Sequence, residues 1–551
     1  MKKTILTKMV MLVGLVLLGF TSYSQADCQV IANPLTVNNS NASIAATPIC
    51  GTHKDYIPSH TNPEYTPIKT IRLVLHSFCD DNGNGNYNDI QIDNPSHNTQ
   101  SQYWNSIING FNNKFSDFKL ETRQVPSFPS PLLSDSRVRF QLNQSDIFIH
   151  KNTADMNKFG STYFIYNKYV TNNSSMTYKD DALHIFLMAN GSYSYSSIGA
   201  NYVMIGSDFI GYFANGEVWN STNNIAHEMG HAMGLYHTNR FNTTPQGASN
   251  SCSSTWDDYC DDTPPAGTLN PCPCWNGNAD EWGHNDPNPC SYNLMAYNAK
   301  QYSLTREQIG RIHWFLTNNS TCRKYVIENY CTYNATNSIS IGNSSHLVWS
   351  NTRFFDGDIV IEANSSLTIK CFLGMSSGSK IIVKKGGKLN IDGGTIGTKC
   401  GGQWQGIYVE GDKSLSQGPA GNQGSVFIQN GGIIEHARTG VTLCGLDANG
   451  NLDLSKSGGR IIANEAIFRD NYRDVSFTGY HSFPSSSSFS SANVSNFIKC
   501  QFITTNDYRS DFVSDIWPNV TMWGVVHVRF RGCTWHDQRD DNVDPRMDDY
   551  L

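Results

Sequence analysis

The residues best suited to catalysis lie in the stretch HEMGHAMGLYH, at positions 227–237. Positions four apart share one face of a helix, so His227 and His231 can bind one metal ion through their imidazoles. Glu228 follows the first histidine and is suited to take a proton from a water molecule that attacks a carbonyl. These three residues predict a zinc site with a general base beside it.

The same stretch predicts a sharp end to the helix and a third ligand. Gly234 can adopt the left-handed conformation that ends a helix, which would return His237 to the metal. A histidine pair with an intervening glutamate would alone be weak evidence for a zinc site, because such a set more often forms a solvated helix face. The five fixed positions of H-E-x-x-H-x-x-G-x-x-H match by accident in roughly a few chains per hundred thousand of this length. The extended spacing therefore predicts catalytic Zn²⁺ rather than a chance pattern.

The long motif resembles that of the metzincin clan of zinc endopeptidases, and further segments resemble its pappalysin and cytophagalysin (M43-like) family. The segment NLMAYN, residues 293–298, is similar to the Met-turn below the zinc. The resemblance assigns Met295 to that turn and gives Tyr297 an oxyanion-stabilising role. DDTPP at 261–265 and SLTREQIGRIHWFL at 303–316 resemble the Asp-Thr-Pro segment and the closing helix of the family. The family resemblance implies a metalloendopeptidase that acts on proteins or peptides.

The predicted closing helix also shows two sequence features that are typical of a packed helix. Thr305 and Gln308 have the spacing of a capping box. Ile309, Ile312 and Phe315/Leu316 form one apolar stripe, which favours packing against a core.

The N-terminus predicts export. Lys2, Lys3 and Lys8 precede an apolar run over 9–20, which is the pattern of a secretory signal peptide over 1–26. The apolar run is too short to span a bilayer comfortably, and nothing similar recurs, so we expect a secreted protein without a transmembrane segment.

Composition agrees with an exported protein of several domains. The chain has 551 residues, a net charge of -7 and 15 cysteines. The charge and the lack of a basic cluster argue against a nucleic-acid partner. The cysteine density predicts disulfides, and the odd count leaves at least one thiol unpaired within the chain. Bridges are expected in the loop before the Met-turn, which holds Cys252, Cys260, Cys272, Cys274 and Cys290.

Cys50 has two alternative roles. It lies in ICGTHK, and Cys-Gly-Thr here resembles the cysteine switch of pro-segments in the family. A thiolate is a strong fourth zinc ligand, so Cys50 would keep the precursor latent. The alternative is a disulfide from Cys50 to Cys28 or to another cysteine.

The predicted catalytic domain spans 67–330 and follows a pro-segment at 27–66. Apolar residues at helical spacing between 104 and 118 predict a helix, and short apolar runs predict strands. The resemblance implies an α/β fold with a mixed sheet and a backing helix, and it places residues 201–208 at the sheet edge beside the cleft. The predicted strands are 70–76, 137–142, 146–150, 183–189 and 201–208.

Two acidic segments are candidate sites for structural Ca²⁺. DDNGNGNYND at 80–89 has the early oxygen-rich positions of a calcium loop, but Gln91 stands where the closing glutamate is expected. A polar turn is the alternative. A second candidate is the acidic set Asp257, Asp258, Asp261 and Asp262.

A repeat marks the last part of the chain, 335–551. VIEANSSLTI at 360–369 aligns with IVKKGGKLNI at 382–391 at a shift of 22 residues. The motif F-x-x-C-x-aromatic occurs at 497–502 and again at 530–535. These repeats favour an all-β domain built as a right-handed parallel β-helix, with an antiparallel sandwich as the alternative.

Two functions remain open from the sequence. The first is a secreted zinc endopeptidase with Glu228 as general base and acid. The second is a surface- or glycan-binding β-helix protein with an inactive peptidase domain, but an inactive domain would be expected to lose Glu228 or a ligand. Family members that cut beside arginine have an acidic residue shortly after the Met-turn, and NAKQYS at 298–303 has none. Cleavage preference is therefore not predicted.

Overall fold

The computed structural model describes most of the chain from Cys50 onward. The described residues are 50–83, 100–118, 133–188, 194–206, 218–237, 258–263, 293–295, 303–327, 329–419, 421–480, 493–508 and 518–539. The predicted signal peptide and the pro-segment before Cys50 lie outside them. Among the described residues, no helix is long and apolar enough to cross a membrane.

A mixed six-stranded sheet forms the centre of the N-terminal part. Its longest strand is almost wholly buried, as its apolar composition predicts, and pairs in parallel with three others. A last short strand pairs with it in antiparallel orientation. The mixed sheet confirms the predicted α/β layer. Its strands are β1 Lys69–Cys79, β2 Val138–Gln141, β3 Ile147–Lys151, β4 Leu183–Leu187, β5 Tyr202–Ile205 and β6 Val326–Ile327.

The predicted edge strand is the last strand of the sheet, and one isolated bridge lies outside it. β5 is the last strand in the order β2-β1-β4-β5, but Tyr195 pairs beyond it with Met204. Each residue donates its backbone N–H to the carbonyl of the other, at 2.9 Å in both directions. The bridge itself was not predicted, because strand composition cannot show that the chain folds back before β5. The rim of the sheet is therefore formed by the segment around Tyr195.

Within the ranges that the structure describes, five α-helices accompany the sheet. The predicted helix at 104–118 corresponds to α1, the metal-ligand helix to α4, and the predicted closing helix to α5. Their bounds are α1 Gln100–Ser116, α2 Thr153–Met156, α3 Thr162–Tyr166, α4 Val218–Ala232 and α5 Arg306–Asn318. The short helices are the 3-10 turns His53–Tyr56, Pro63–Tyr65, Gln144–Asp146, Cys322–Tyr325, Asn329–Cys331 and Ala335–Asn337, and the π turn Asn167–Thr171.

One hydrophobic core holds these helices on the sheet. Phe111 and Phe115 of α1, Ile225 and Met229 of α4, and Ile309 of α5 are at most 1% exposed and share one cluster. The apolar stripe predicted for the closing helix is thus its core-facing side. This packing makes α4 a rigid support for the residues it carries.

The C-terminal part is all-β and consists mainly of three seven-stranded parallel sheets that the chain visits in turn. We call it the parallel-sheet region. Its first sheet contains β7 Ile339–Ile341, β10 Ile359–Ile361, β13 Lys380–Val383, β16 Trp404–Val409, β19 Ala437–Thr442, β24 Val475–Phe477 and β27 Val520–Met522. The second contains β8 His346–Trp349, β11 Ser366–Ile369, β14 Lys388–Asp392, β17 Ser425–Gln429, β22 Arg460–Asn464, β25 Asn496–Ile498 and β28 Arg529–Arg531. The third contains β9 Arg353–Phe355, β12 Phe372–Met375, β15 Thr395–Gly397, β18 Ile433–Glu435, β23 Ile467–Arg469, β26 Gln501–Thr504 and β29 Thr534–Asp537. An antiparallel pair, β20 Cys444–Leu446 and β21 Leu452–Ser457, completes it.

The 22-residue repeat sets the register of these sheets. Val360 pairs with Ile382, and Ile369 pairs with Ile391, as the alignment predicts. The second repeated motif is stacked in the same way: the rings of Phe497 and Phe530 lie 4.6 Å apart between centroids. Three parallel sheets that the chain visits in a repeated order are consistent with a parallel β-helix. They exclude an antiparallel sandwich for these strands.

Residues 50–66 lie between the two parts of the molecule, and we call them the N-terminal strap. Trp314 of α5 donates its indole N–H to the carbonyl of Gly51 at 3.3 Å. On the other side, Ser350 donates to Asp55 at 2.6 Å and Tyr65 donates to the carbonyl of Ser340 at 2.9 Å. The strap therefore bonds to both the N-terminal part and the parallel-sheet region, which belong to one compact unit, Thr47–Leu551.

Candidate active site

The glycine of the motif ends α4 and turns the chain back. Gly234 has φ +99° and donates its N–H to the carbonyl of His231 at 2.9 Å. Leu235 donates to the carbonyl of Gly230, also at 2.9 Å. This pair of bonds is a Schellman motif, which needs a left-handed residue at Gly234. The turn places His237 opposite the two histidines of the helix.

Three imidazole nitrogens meet at this point. The Nε2 atom of His237 lies 3.0 Å from that of His227 and 2.9 Å from that of His231. The Nδ1 atoms of His227 and His231 each lie 2.7 Å from a backbone carbonyl, of Leu294 and Leu235 respectively. Because a carbonyl only accepts, each Nδ1 carries the proton and each Nε2 presents its lone pair. In the described part of the chain, these histidines form the one group of three or more residues with metal-ligating spacing.

The electrostatics of the group suit a metal cation. Burial lowers the pKa of His227 to about 4 and that of His231 to about 3, so both are neutral near pH 7. Converging lone pairs on neutral imidazoles repel one another unless a cation lies between them. Three converging imidazole nitrogens, two of them on neutral rings with carbonyl-bonded Nδ1 atoms, are a donor set that Zn²⁺ takes in catalytic sites. The residues present therefore fit the zinc that the motif predicts.

Glu228 is buried beside this group. Its side chain accepts a backbone hydrogen bond from Ser196 in the sheet rim, and burial raises its pKa to about 8. Among the described residues, no polar atom bonds to its Oε2 atom. A buried carboxylate with one oxygen oriented by a hydrogen bond and the other open is suited to exchange protons with a reactant.

The Met-turn packs directly under the helix. Met295 is fully buried, and a Cβ atom added to Gly230 would lie 2.5 Å from its sulfur. Gly230 is therefore required for close packing. The sequence analysis did not single it out, although an interior helix glycine costs about 1 kcal/mol relative to alanine and so signals a packing role.

A hydrogen-bonded clasp joins the Met-turn to α5. Gln308 completes the predicted capping box with Thr305, and its Oε1 atom also accepts from the amide of Asn293 at 2.8 Å. Asn293 in turn accepts the backbone N–H of Met295 at 2.9 Å. One side chain therefore both caps the closing helix and positions the turn below the ligands.

Replacing Gln308 by Ala is expected to lower the free energy of unfolding by about 2–3 kcal/mol, because a cap is lost and buried polar groups lose their partners. Chemical denaturation measures the change. Gln405→Ala, on a partly exposed position of β16, is the control and should change stability by less than about 0.5 kcal/mol. Equal effects of the two substitutions would contradict a stabilising role for the hydrogen bonds of Gln308.

Arg311 of α5 is a further positioning residue that the sequence did not indicate. Its Nε–H donates to the carbonyl of Gly234 at 2.6 Å. The guanidinium lies 5.3 Å from the ring centroid of Tyr236 and 5.1 Å from those of Tyr259 and Phe315. Arg311 thus holds the turn that carries the third histidine, through contacts that no local motif encodes.

Cys50 is not available as a metal ligand in this structure. It forms a disulfide with Cys371, with the Cα atoms 6.0 Å apart. This is the disulfide alternative of the sequence analysis, and a sulfur in such a bond is not a thiolate that could bind zinc. The latency role stays a prediction for a precursor without that bond. Cys331 and Cys400 form a second disulfide.

Several other predicted residues fall where the structure does not describe the chain, and one has another role. Tyr297 and Cys252, Cys272, Cys274 and Cys290 lie outside the described residues, as do most of the loop 80–89 and Asp257. Cys260 is a buried free thiol, so the predicted bridge is wrong for this residue.

The acidic set proposed for calcium is used otherwise. Asp258 accepts from Thr263 at 2.7 Å, Asp262 accepts the backbone N–H of Glu307 at 2.8 Å, and Asp261 pairs with Lys54. These carboxylates bond to separate protein groups. The structure therefore does not support a calcium site there.

Comparisons with known proteins agree with this geometry. Residues 189–317 match the model of the Peptidase M43 family, described as pregnancy-associated plasma protein-A. A solved structure described as mirolysin in complex with compound 9 aligns with 16% identity over 48% of this chain and 96% of its own, at a TM-score of 0.31. That score is too low to add to the assignment. No curated protein matches the chain.

The family match contains both the histidine motif and the Met-turn, which are the elements that the structure packs together. Residues 189–317, which carry the site, therefore match the M43 peptidase family, and we call the N-terminal part of the molecule that contains them the peptidase domain.

Proposed function

We propose that the protein is a secreted zinc endopeptidase in which His227, His231 and His237 bind the metal and Glu228 is the general base and acid. The observation that carries the proposal is the convergence of three imidazole nitrogens beside a buried carboxyl with one open oxygen. The signal-peptide pattern supports export, and the M43 match supports protein substrates.

The chain's residues supply proton transfer and orientation. When bound, zinc supplies a Lewis acid that polarises the scissile carbonyl and lowers the pKa of water. Glu228 accepts a proton from the attacking water at its open oxygen and passes it to the leaving amine nitrogen. The Ser196 N–H keeps the other oxygen in place during both transfers. Tyr297 is proposed to stabilise the oxyanion, on the basis of its position two residues after Met295.

The rim around Tyr195 is the proposed position of the substrate backbone. An extended peptide can add to a sheet edge through main-chain hydrogen bonds, whatever its side chains. The rim segment also contributes the hydrogen bond to Glu228, so a peptide bound along it would lie next to the general base. We further infer that the parallel-sheet region is a right-handed β-helix, because crossovers between parallel strands are right-handed in about 98% of cases.

Removal of zinc provides the direct test. The processed protein is expected to contain one zinc per chain, to hydrolyse casein, and to lose hydrolysis with 1,10-phenanthroline until Zn²⁺ is restored. His231→Ala should lose both metal and activity, whereas His346→Ala, on an exposed strand position, should keep both. Metal content is measured by mass spectrometry. Hydrolysis by zinc-free protein, or zinc retained in full by His231→Ala, would overturn the proposal.

A further inference from the structure

A cavity of about 630 Å³ lies where the N-terminal strap, the peptidase domain and the parallel-sheet region meet. Its walls come from the start of β1, the end of α5, β6, and the strands β7 and β9. None of the three site histidines lines it. It is therefore a separate space from the candidate active site.

The charged residues of the wall are mostly cationic. Six cations and two carboxylates line the cavity, which leaves an excess of four positive charges (6 − 2) in a chain whose net charge is -7. The cations are Lys69, Arg137, Arg323, Lys324, Arg353 and Lys399, and the carboxylates are Glu64 and Asp356. Such a local excess against the sign of the whole protein favours an anion.

Of the four wall cations that have no acidic partner among the described residues, two are desolvated. Within the described ranges, neither Lys69 nor Arg353 has a carboxylate within 4.0 Å. Burial lowers the pKa of Lys69 to about 8 and that of Arg353 to about 10. Burial lowers the pKa of His313 on the same wall, and the nearby charges of Lys69 and Arg353 lower it further, so both cations lie near this one side chain. A desolvated cation without a counter-charge gains most from an added anion.

Two threonine hydroxyls on the wall are also unsatisfied. Thr66 and Thr352 are 8% and 6% exposed, and in the part of the chain that the structure describes no atom bonds to either Oγ1. They come from different segments of the chain, since Thr66 precedes β1 and Thr352 precedes β9. Buried hydroxyls without partners carry an energetic cost that a ligand oxygen would relieve.

The remaining wall is apolar, which bears on the size of the ligand. Leu316, Val326, Ile339 and Phe354 line the space beside the charged groups. A volume of this size is typical of sites for small organic ligands, and it is several times that of an inorganic ion. The cavity thus offers cations and hydroxyl donors for an acidic group and apolar surface for an attached body.

We infer that this junction cavity binds a small organic anion, with its carboxylate or phosphate group held by Lys69, Arg353, Thr66 and Thr352. Because the strap, β1 and β9 all contribute to the wall, the bound anion joins the peptidase domain to the parallel-sheet region. This inference does not depend on peptidase activity.

Isothermal titration calorimetry of the zinc-loaded protein tests the site with three probes: 4-phenylbutyrate, phenyl phosphate and the neutral 4-phenylbutanol. At least one of the two anions is expected to bind, and the alcohol at least tenfold more weakly. The stronger of the two anions identifies the preferred acidic group. Absence of binding by both anions, or equal binding of the alcohol, would overturn the inference.

Variants locate the binding. Lys69→Met should weaken binding of the preferred anion at least tenfold, whereas Lys388→Met, an exposed lysine on β14, should leave it unchanged. Thr352→Val, which keeps the side-chain shape, should weaken anion binding several-fold. This variant replaces Lys69→Met in the test if Lys69→Met does not fold. Because carboxylates and phosphates are themselves zinc ligands, the titration is repeated on His231→Ala. Binding that vanishes in His231→Ala, or that survives intact in both cavity variants, would exclude the site.

Discussion

Replacing Glu228 by Gln is expected to lower kcat/KM for peptide hydrolysis by about 10³-fold while zinc stays bound, since general acid-base catalysis contributes 10²- to 10⁴-fold. Glutamine has the size of glutamate, and its amide oxygen can still accept the Ser196 N–H. It cannot take a proton from water near neutral pH. The loss should fall on kcat rather than KM, because a group that acts in proton transfer binds substrate and transition state differently.

The matched control is Glu435→Gln in the parallel-sheet region. Glu435 is 7% exposed and Glu228 is 6% exposed, so both substitutions remove a buried carboxyl. Glu435 pairs with Arg469, far from the site in sequence, and its replacement should change stability without changing kcat/KM in the folded protein. Zinc content and hydrolysis are measured on both. If Glu228→Gln kept more than a tenth of wild-type activity, the role of Glu228 as general base would be wrong.

The ligand helix was predictable because its signal is local. The spacing of His227 and His231 follows from helical periodicity, and the turn at Gly234 follows from the conformations open to glycine. The contacts that hold these residues in place, by contrast, join residues that are distant in the sequence. Arg311 reaches Gly234 from a helix more than seventy residues later, and Gln308 reaches Asn293 across a turn. Such contacts depend on tertiary packing, which a single sequence does not display.

The rest of the fold likewise contains features that local sequence patterns predict and features that they do not. The register of the parallel sheets was predictable, because stacked coils place repeated residues such as Ile369 and Ile391 side by side. The partner of Cys50 was not, since disulfide connectivity cannot be read from sequence. The pairing of Tyr195 with Met204 was missed for a related reason: one bridge of two hydrogen bonds leaves no periodic pattern.

Replacing Gly234 by Ala is expected to lower the free energy of unfolding by about 3 kcal/mol and to weaken zinc binding. The left-handed conformation at φ +99° costs a residue with a Cβ atom roughly 1–2 kcal/mol. The added Cβ would also overlap the ring of Phe315, and forcing an extra methyl into a packed site costs typically 1–3 kcal/mol. Any shift that relieves the overlap moves the turn that carries His237. Denaturant unfolding and competitive zinc titration measure the two effects.

Two further variants separate the causes. Gly401→Ala is the control, because its added Cβ would meet nothing within 4 Å and its φ is not positive, so stability should change by less than about 0.5 kcal/mol. In a Phe315→Ala background, Gly234→Ala should cost only the backbone strain, about 1–2 kcal/mol, since the ring is gone. An equal cost of Gly234→Ala in both backgrounds would show that packing against Phe315 contributes nothing. Full zinc affinity in Gly234→Ala would show that the turn does not position His237. The two readouts therefore distinguish a glycine kept for its conformation from one kept for the close approach of α5 to the metal ligands.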